Sequence, residues 1–280
     1  MIISASRRTD IPAFYATWFM ERIREGTVSV KNPFNPSQMK RVSLRPEDLS
    51  AIVFWTRDCH PMLNHLEELD HHGFKYLFLY TITGYGPPLE MYAPLLESAV
   101  SAFRKLSQRI GRERVIWRFD PVIYVEEQGE DWITSRFEKI ATSLRCDTRR
   151  VIISFLDLYK KVIKRLTALE KTTGYRVSDI SHRKETIRRI AIALAEIARS
   201  NNLEIYSCAE KMGLEGFGIS PGKCIDGDLL NTIFGLHLKV EKDKNQRDLC
   251  NCTISQDIGE YDTCHHHCVY CYATGRGGTD

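Results

Sequence analysis

Short runs of apolar and β-branched residues recur along the chain, separated by segments whose apolar positions have helical spacing. The runs Ile2–Ala5, Ala51–Thr56, Lys75–Thr83, Val115–Tyr124, Val151–Asp157 and Leu203–Cys208 are apolar on both faces. That is the pattern of strands covered by helices rather than strands with one wet side. The clearest intervening helix spans roughly Arg183 to Arg199, where Ile187, Ile190, Ala191, Leu194, Ile197 and Ala198 form one stripe. Arg188 and Arg189 point the other way, and Ser181 is placed to cap it. The segment from Thr27 to Leu44 breaks the rhythm. Val28 and Val30 alternate, Asn32-Pro33-Phe34-Asn35-Pro36 turns the chain, and Val42 and Leu44 alternate again, which predicts a hairpin inserted after the first helix.

Six strands alternating with helices predict one α/β domain over residues 1–280 with a parallel sheet, either open or a partial barrel. Sites in both architectures gather beyond the C-terminal ends of the strands. Those ends are polar here: Ser6-Arg7-Arg8-Thr9-Asp10, Thr56-Arg57-Asp58, Thr81 to Gly86, Arg118-Phe119-Asp120-Pro121, Asp157 and Cys208-Ala209-Glu210. A shared polar mouth is expected. Arg7, Arg8 and Asp10 are candidate substrate residues, since paired arginines suit an anionic group; a salt bridge to Asp10 or Glu210 is the alternative. Arg118 and Asp120 alternate with Trp117 and Phe119, so both face the same way, to bind cofactor or substrate or to pair with each other.

The chain has 280 residues, with 39 basic against 36 acidic side chains. A net charge of +3 gives no reason to invoke nucleic acid or an anionic membrane, though it excludes neither. No apolar run has the length of a membrane span or the form of a signal peptide, so a cytoplasmic protein is the expectation. The nine cysteines change the picture. An odd number without a secretion signal argues for metal or redox chemistry rather than a disulfide framework. Cys250, Cys252, Cys264, Cys268 and Cys271 crowd into a tail comprising residues 247–280.

The tail reads Cys264-His265-His266-His267-Cys268-Val269-Tyr270-Cys271. Three thiolates at this spacing can wrap one face of a [4Fe–4S] cubane and leave its fourth iron open. An open iron can chelate the amino and carboxylate groups of S-adenosylmethionine, and one electron then yields a 5′-deoxyadenosyl radical. Thr83 and Gly84, at the turn Gly84-Tyr85-Gly86, are candidates to present backbone to that cofactor, though an ordinary strand-end turn fits as well. A structural zinc site with these cysteines and histidines is a second reading. A third is an electron-transfer or redox-sensing protein whose irons are all protein-ligated. His265 to His267 are expected in solvent, as are the basic stretches Lys160–Arg165 and Arg183–Arg189. Cys208, Cys224, Cys250 and Cys252 make a separate set, enough for a second iron–sulfur cluster or a zinc, or else buried as small hydrophobes.

The pattern of Cys, three residues, Cys, any residue, an aromatic, Cys resembles the signature of radical S-adenosylmethionine enzymes. That resemblance implies that Cys264, Cys268 and Cys271 bind the cluster, that Tyr270 flanks the adenine, and that a reductant such as flavodoxin or ferredoxin supplies the electron. The motif departs from that superfamily in lying near the C-terminal end of the chain rather than after the first strand. The stretches SRRTDIPAFY, NPFNP, FWTRD, WRFDP and CNCTISQDIGEYDTCHHHCVYCYA resemble a family of uncharacterised microbial proteins known only as a domain of unknown function. This second resemblance runs nearly end to end. It implies a partial (β/α)6 TIM-like barrel with its cluster loop at the C-terminus, and leaves the substrate open.

Overall fold

A computed structural model describes residues 1–32 and 35–275. The central sheet has eight strands in the order β10-β1-β4-β5-β6-β7-β8-β9, and every neighbouring pair is parallel. The strands are β1 (Ile2–Ala5), β4 (Ala51–Thr56), β5 (Tyr76–Thr81), β6 (Val115–Val122), β7 (Arg150–Phe155), β8 (Glu204–Ser207), β9 (Ser220–Pro221) and β10 (Gln256–Asp257). The inserted hairpin is present as β2 (Thr27–Asn32) and β3 (Asn35–Ser43), antiparallel, with Val28 opposite Val42. The turn expected at Asn32 to Pro36 falls at Pro33 and Phe34, outside the described residues.

All six strands expected from the sequence are found, each within a few residues of its expected ends. The two-residue edge strands β9 and β10 carry too few positions for any periodicity. No closed barrel is formed among the described residues: β9 and β10 are the two edges of the sheet.

Alternation along the strands feeds two separate cores. Ile52, Phe54, Tyr76, Phe78, Val115, Trp117, Val151 and Ile153 lie on one face, under helices such as Leu96–Ile110 and Gly129–Leu144. Ala51, Val53, Trp55, Leu77, Leu79, Ile116 and Ile152 lie on the other, with Leu229 and Leu230 of helix Gly227–Phe234. A large side chain buried completely, such as Phe103 or Trp117, contributes about 1.5–3 kcal/mol by leaving water. The predicted helix near residues 183–199 runs Lys184–Ser200. Its N-cap is Arg183 rather than Ser181, whose amide instead donates to Asp179 Oδ1 at 2.8 Å.

Candidate active site and cysteine centres

The tail reaches the C-terminal ends of the strands because Asp257 fastens it beside β1. The buried carboxylate accepts from Ser4 Oγ and Ser6 Oγ, both at 2.7 Å, from Arg7 N at 2.9 Å and from Gly259 N at 3.0 Å. A side chain at Gly259 would put its Cβ 2.0 Å from Ser6 Oγ, so only glycine permits this approach. From there the chain enters the Cys264–Cys271 loop, which three long-range contacts hold. His266 Nε2 meets Asp10 Oδ2 at 2.8 Å; Cys268 bridges Glu90 in an antiparallel backbone pair; and Arg165 donates to the carbonyls of Val269 and Thr274 at 2.8 Å and to that of Cys271.

Two expectations are corrected here. His266 is buried, with 3% of its surface exposed, whereas His265 and His267 are in solvent as expected. Arg165 does not belong to a solvated helix face, because its guanidinium is the clamp on the loop.

Cys264, Cys268 and Cys271 all line one cavity of about 330 Å³ at the C-terminal ends of the strands. Arg7, Arg8, Asp10, Arg57, Arg118, Asp120, Asp157 and Tyr270 line it too, so the polar strand ends share one open cavity. Ala273 N donates to Cys271 Sγ at 3.3 Å. Backbone donors aimed at sulfur stabilise thiolates, and thiolates are what a metal requires. Without a metal, burial pushes the Cys264 thiol up to about 11 and the Cys268 thiol up to about 12.

Tyr270 lies in a largely buried network. Its hydroxyl meets Glu90 and takes a hydrogen bond from Arg57 Nη2 at 2.6 Å, while Arg57 Nη1 pairs with Glu90 Oε1 at 2.9 Å. Thr83 donates to the same Glu90 oxygen at 2.5 Å. Burial raises the Tyr270 phenol well above its ordinary value, so it stays protonated. Gly84 faces away from this network, its Cβ position 3.7 Å from Ile140 and Leu96 side chains.

Arg118 pairs with Asp120, and its guanidinium stacks over Trp55 at 4.7 Å. Asp10 is spread over four partners: Ala13 N, Thr56 Oγ1, Arg57 N and His266. It joins β1, β4 and the cysteine loop. The acidic neighbour of Arg7 and Arg8 is Asp257, not Asp10 or Glu210. Arg7 extends over Trp55 at 5.4 Å and Arg8 over Tyr261 at 5.1 Å.

The second cysteine set is also brought together. The sulfurs of Cys208, Cys224 and Cys252 lie within 4.8 Å of one another, all buried, and could hold a metal ion. Cys250 lies outside that trio but is buried, and all four line the same cavity as the first set.

Sequence reasoning did not single out Glu90, Arg165, Asp257 or His266 as site residues, nor give Arg57 more than its place at a strand end. Each is an ordinary polar residue whose role comes from a partner far along the chain. The one available signal was Glu90 alone among apolar and proline neighbours in Gly86-Pro87-Pro88-Leu89.

A family model described as "Domain of unknown function (DUF1848)" matches residues 2–273. No curated protein and no solved structure matches the chain.

Proposed function

We propose that this chain, which belongs to the DUF1848 family across residues 2–273, is a radical S-adenosylmethionine enzyme with a [4Fe–4S] cluster on Cys264, Cys268 and Cys271. The observation that carries the reading is that one eight-residue loop delivers three thiols to the wall of a cavity at the C-terminal strand ends. That is where parallel α/β folds do their chemistry. The donor set fits the group: three sulfurs, with a backbone amide turned toward that of Cys271, leave one iron of a cubane without a protein ligand. When bound, such a cluster would hold S-adenosylmethionine at the open iron and supply the electron that splits it into methionine and a 5′-deoxyadenosyl radical.

The protein's own part is to position and to exclude. Arg165, His266 and the Glu90 bridge fix the loop, so the three sulfurs keep one geometry. Tyr270 closes the cavity behind Cys268 with its hydroxyl engaged by Arg57 and Glu90. Its ring is the surface offered to an adenine. Arg118 in the cavity lining is already paired with Asp120, whereas Arg7 in the same lining brings positive charge that suits an anionic substrate group. The electron would come from a reductant such as a flavodoxin or ferredoxin.

We also read the sheet as a partial barrel. Cys252 lies against Cys208 at the end of β8, yet only four residues later Gln256 pairs with Ile3 of β1. Four residues span at most about 14 Å. The two sides of the sheet must therefore curl toward each other, with the tail crossing the gap.

The experiment is electron paramagnetic resonance on anaerobically reconstituted, dithionite-reduced protein, with and without S-adenosylmethionine. A cluster signal that shifts on addition, and is lost together with cofactor cleavage in Cys268→Ala, is the expected result. A signal indifferent to the cofactor would assign the chain to electron transfer, and cleavage surviving in Cys268→Ala would refute the cluster assignment.

A further inference from the structure

We infer that Cys208, Cys224, Cys250 and Cys252 hold a single zinc ion as a tetrathiolate, and not a second iron–sulfur cluster. The four come from three places. Cys208 follows β8 directly. Cys224 follows β9, where Gly222 is pressed so closely on β8 that a Cβ would lie 2.7 Å from that of Tyr206. Gly222 N donates to Ser207 O at 2.7 Å and completes the alignment. Cys250 and Cys252 belong to the tail, turned inward by Cys250 N to Arg247 O at 2.8 Å and Asp243 N to Cys252 O at 2.9 Å.

Sulfur spacing selects the occupant. Cys208 and Cys224 are 3.3 Å apart, and with Cys252 all pairs fall within 4.8 Å. This is too far for a disulfide, whose sulfurs sit about 2.05 Å apart. Zinc–sulfur bonds of about 2.3 Å place tetrahedral ligands about 3.8 Å from one another. A cubane gives each cysteine its own iron at a separate corner, so its ligand sulfurs stand farther apart than those around one ion. Cys250 lies outside the trio whose sulfurs are all within 4.8 Å of one another, but it is buried, two residues from Cys252 and lines the same cavity, so a small inward shift would let it supply the fourth ligand of a closed structural site.

The surroundings suit four thiolates on a dication. All four cysteines are at most 7% exposed, and Ile225 N donates to Cys252 Sγ at 3.4 Å. Arg7 and Arg118 line the same cavity as the four sulfurs, and their positive charge would offset part of the net negative charge that a zinc tetrathiolate carries. Bound there, the ion would join the end of β8, the β9 segment and the tail just before β10. It would clamp the crossing segment that carries the Cys264 loop to its place.

The test is metal analysis of the full chain, with cobalt substitution as a second readout. About one zinc per chain should survive dialysis, and the cobalt form should show the visible absorption of a tetrahedral tetrathiolate. Cys252→Ser should lose that zinc, and Cys268→Ala should keep it. Because zinc is counted separately from iron, a failure of the cluster reading at Cys264, Cys268 and Cys271 leaves this result untouched. Three results would overturn the inference: about four irons lost in Cys252→Ser with no zinc in the parent, a metal-free protein lacking two titratable thiols, or a metal-free protein with every thiol titratable. Should Cys252→Ser not fold, the zinc count and cobalt spectrum of the unaltered chain decide.

Discussion

Glu90 is the residue whose removal should cost most per atom. Three donors meet on its Oε1: Arg57 Nη1 at 2.9 Å, Thr83 Oγ1 at 2.5 Å and the Tyr270 hydroxyl. The Glu90 side chain is 2% exposed and that of Arg57 13%, so water can offer either only slight compensation. Glu90→Ala therefore leaves a buried guanidinium without its counter-charge, together with two hydroxyls lacking an acceptor. Breaking a buried pair by deleting one partner costs about 3–5 kcal/mol. For a chain of this size that lowers the thermal midpoint by roughly 10 °C. The assay is urea unfolding of the metal-free chain under reducing conditions, run on Glu90→Ala, Arg57→Leu and the double variant. The double variant should be more stable than the sum of the single losses predicts, by about 0.5–3 kcal/mol, because the orphaned charge is gone. A single-variant cost below about 1 kcal/mol, the value of an exposed pair, would refute the reasoning. So would strict additivity in the double variant.

Arg165→Ala should release the cysteine loop rather than unfold the domain, since its bonds to the carbonyls of Val269, Cys271 and Thr274 are charge-assisted. The loss of about 2 kcal/mol of local docking raises the open population roughly thirtyfold. Hydrogen exchange at Val269–Thr274 reads this out; unchanged exchange would sink the clamp, and Arg165→Lys should not restore it, lacking the planar fork. At alkaline pH, Cys59 makes its own contribution. Burial pushes its thiol from 9.0 up to about 12, so the folded chain keeps a proton that the unfolded chain releases. Its share of stability is intact below pH 9 and is lost as pH rises from about 9 toward 12. Urea midpoints across that range should fall less steeply in Cys59→Ala, and parallel curves would exclude the assignment.

The six main strands were legible because a strand covered on both faces admits almost nothing but apolar residues. Ala51–Thr56 and Tyr76–Thr81 are buried at every position. The hairpin announced itself by alternation, and the three-then-two cysteine spacing by sitting within one local loop. Other features rest on single contacts across long stretches of chain, which leave no periodicity. Asp10 and His266 are 256 positions apart, Arg57 and Tyr270 are 213, and Ser4 and Asp257 are 253.

Ser181 looked like a helix cap because serine suits that position, yet Asp179 engages its amide in a turn just before the helix. Arg165 and His266 looked solvated because basic and imidazole side chains usually are. Docking of the tail surrounded both with partners. The sequence by itself determined the strands, their two-sided burial and which side chains could ligate metal. The tertiary structure alone decided which thiols meet, since convergence of Cys208, Cys224 and Cys252 depends on how the tail crosses the strand ends. That crossing is set by a buried carboxylate at Asp257 and the missing side chain at Gly259, and neither leaves a local pattern in the chain.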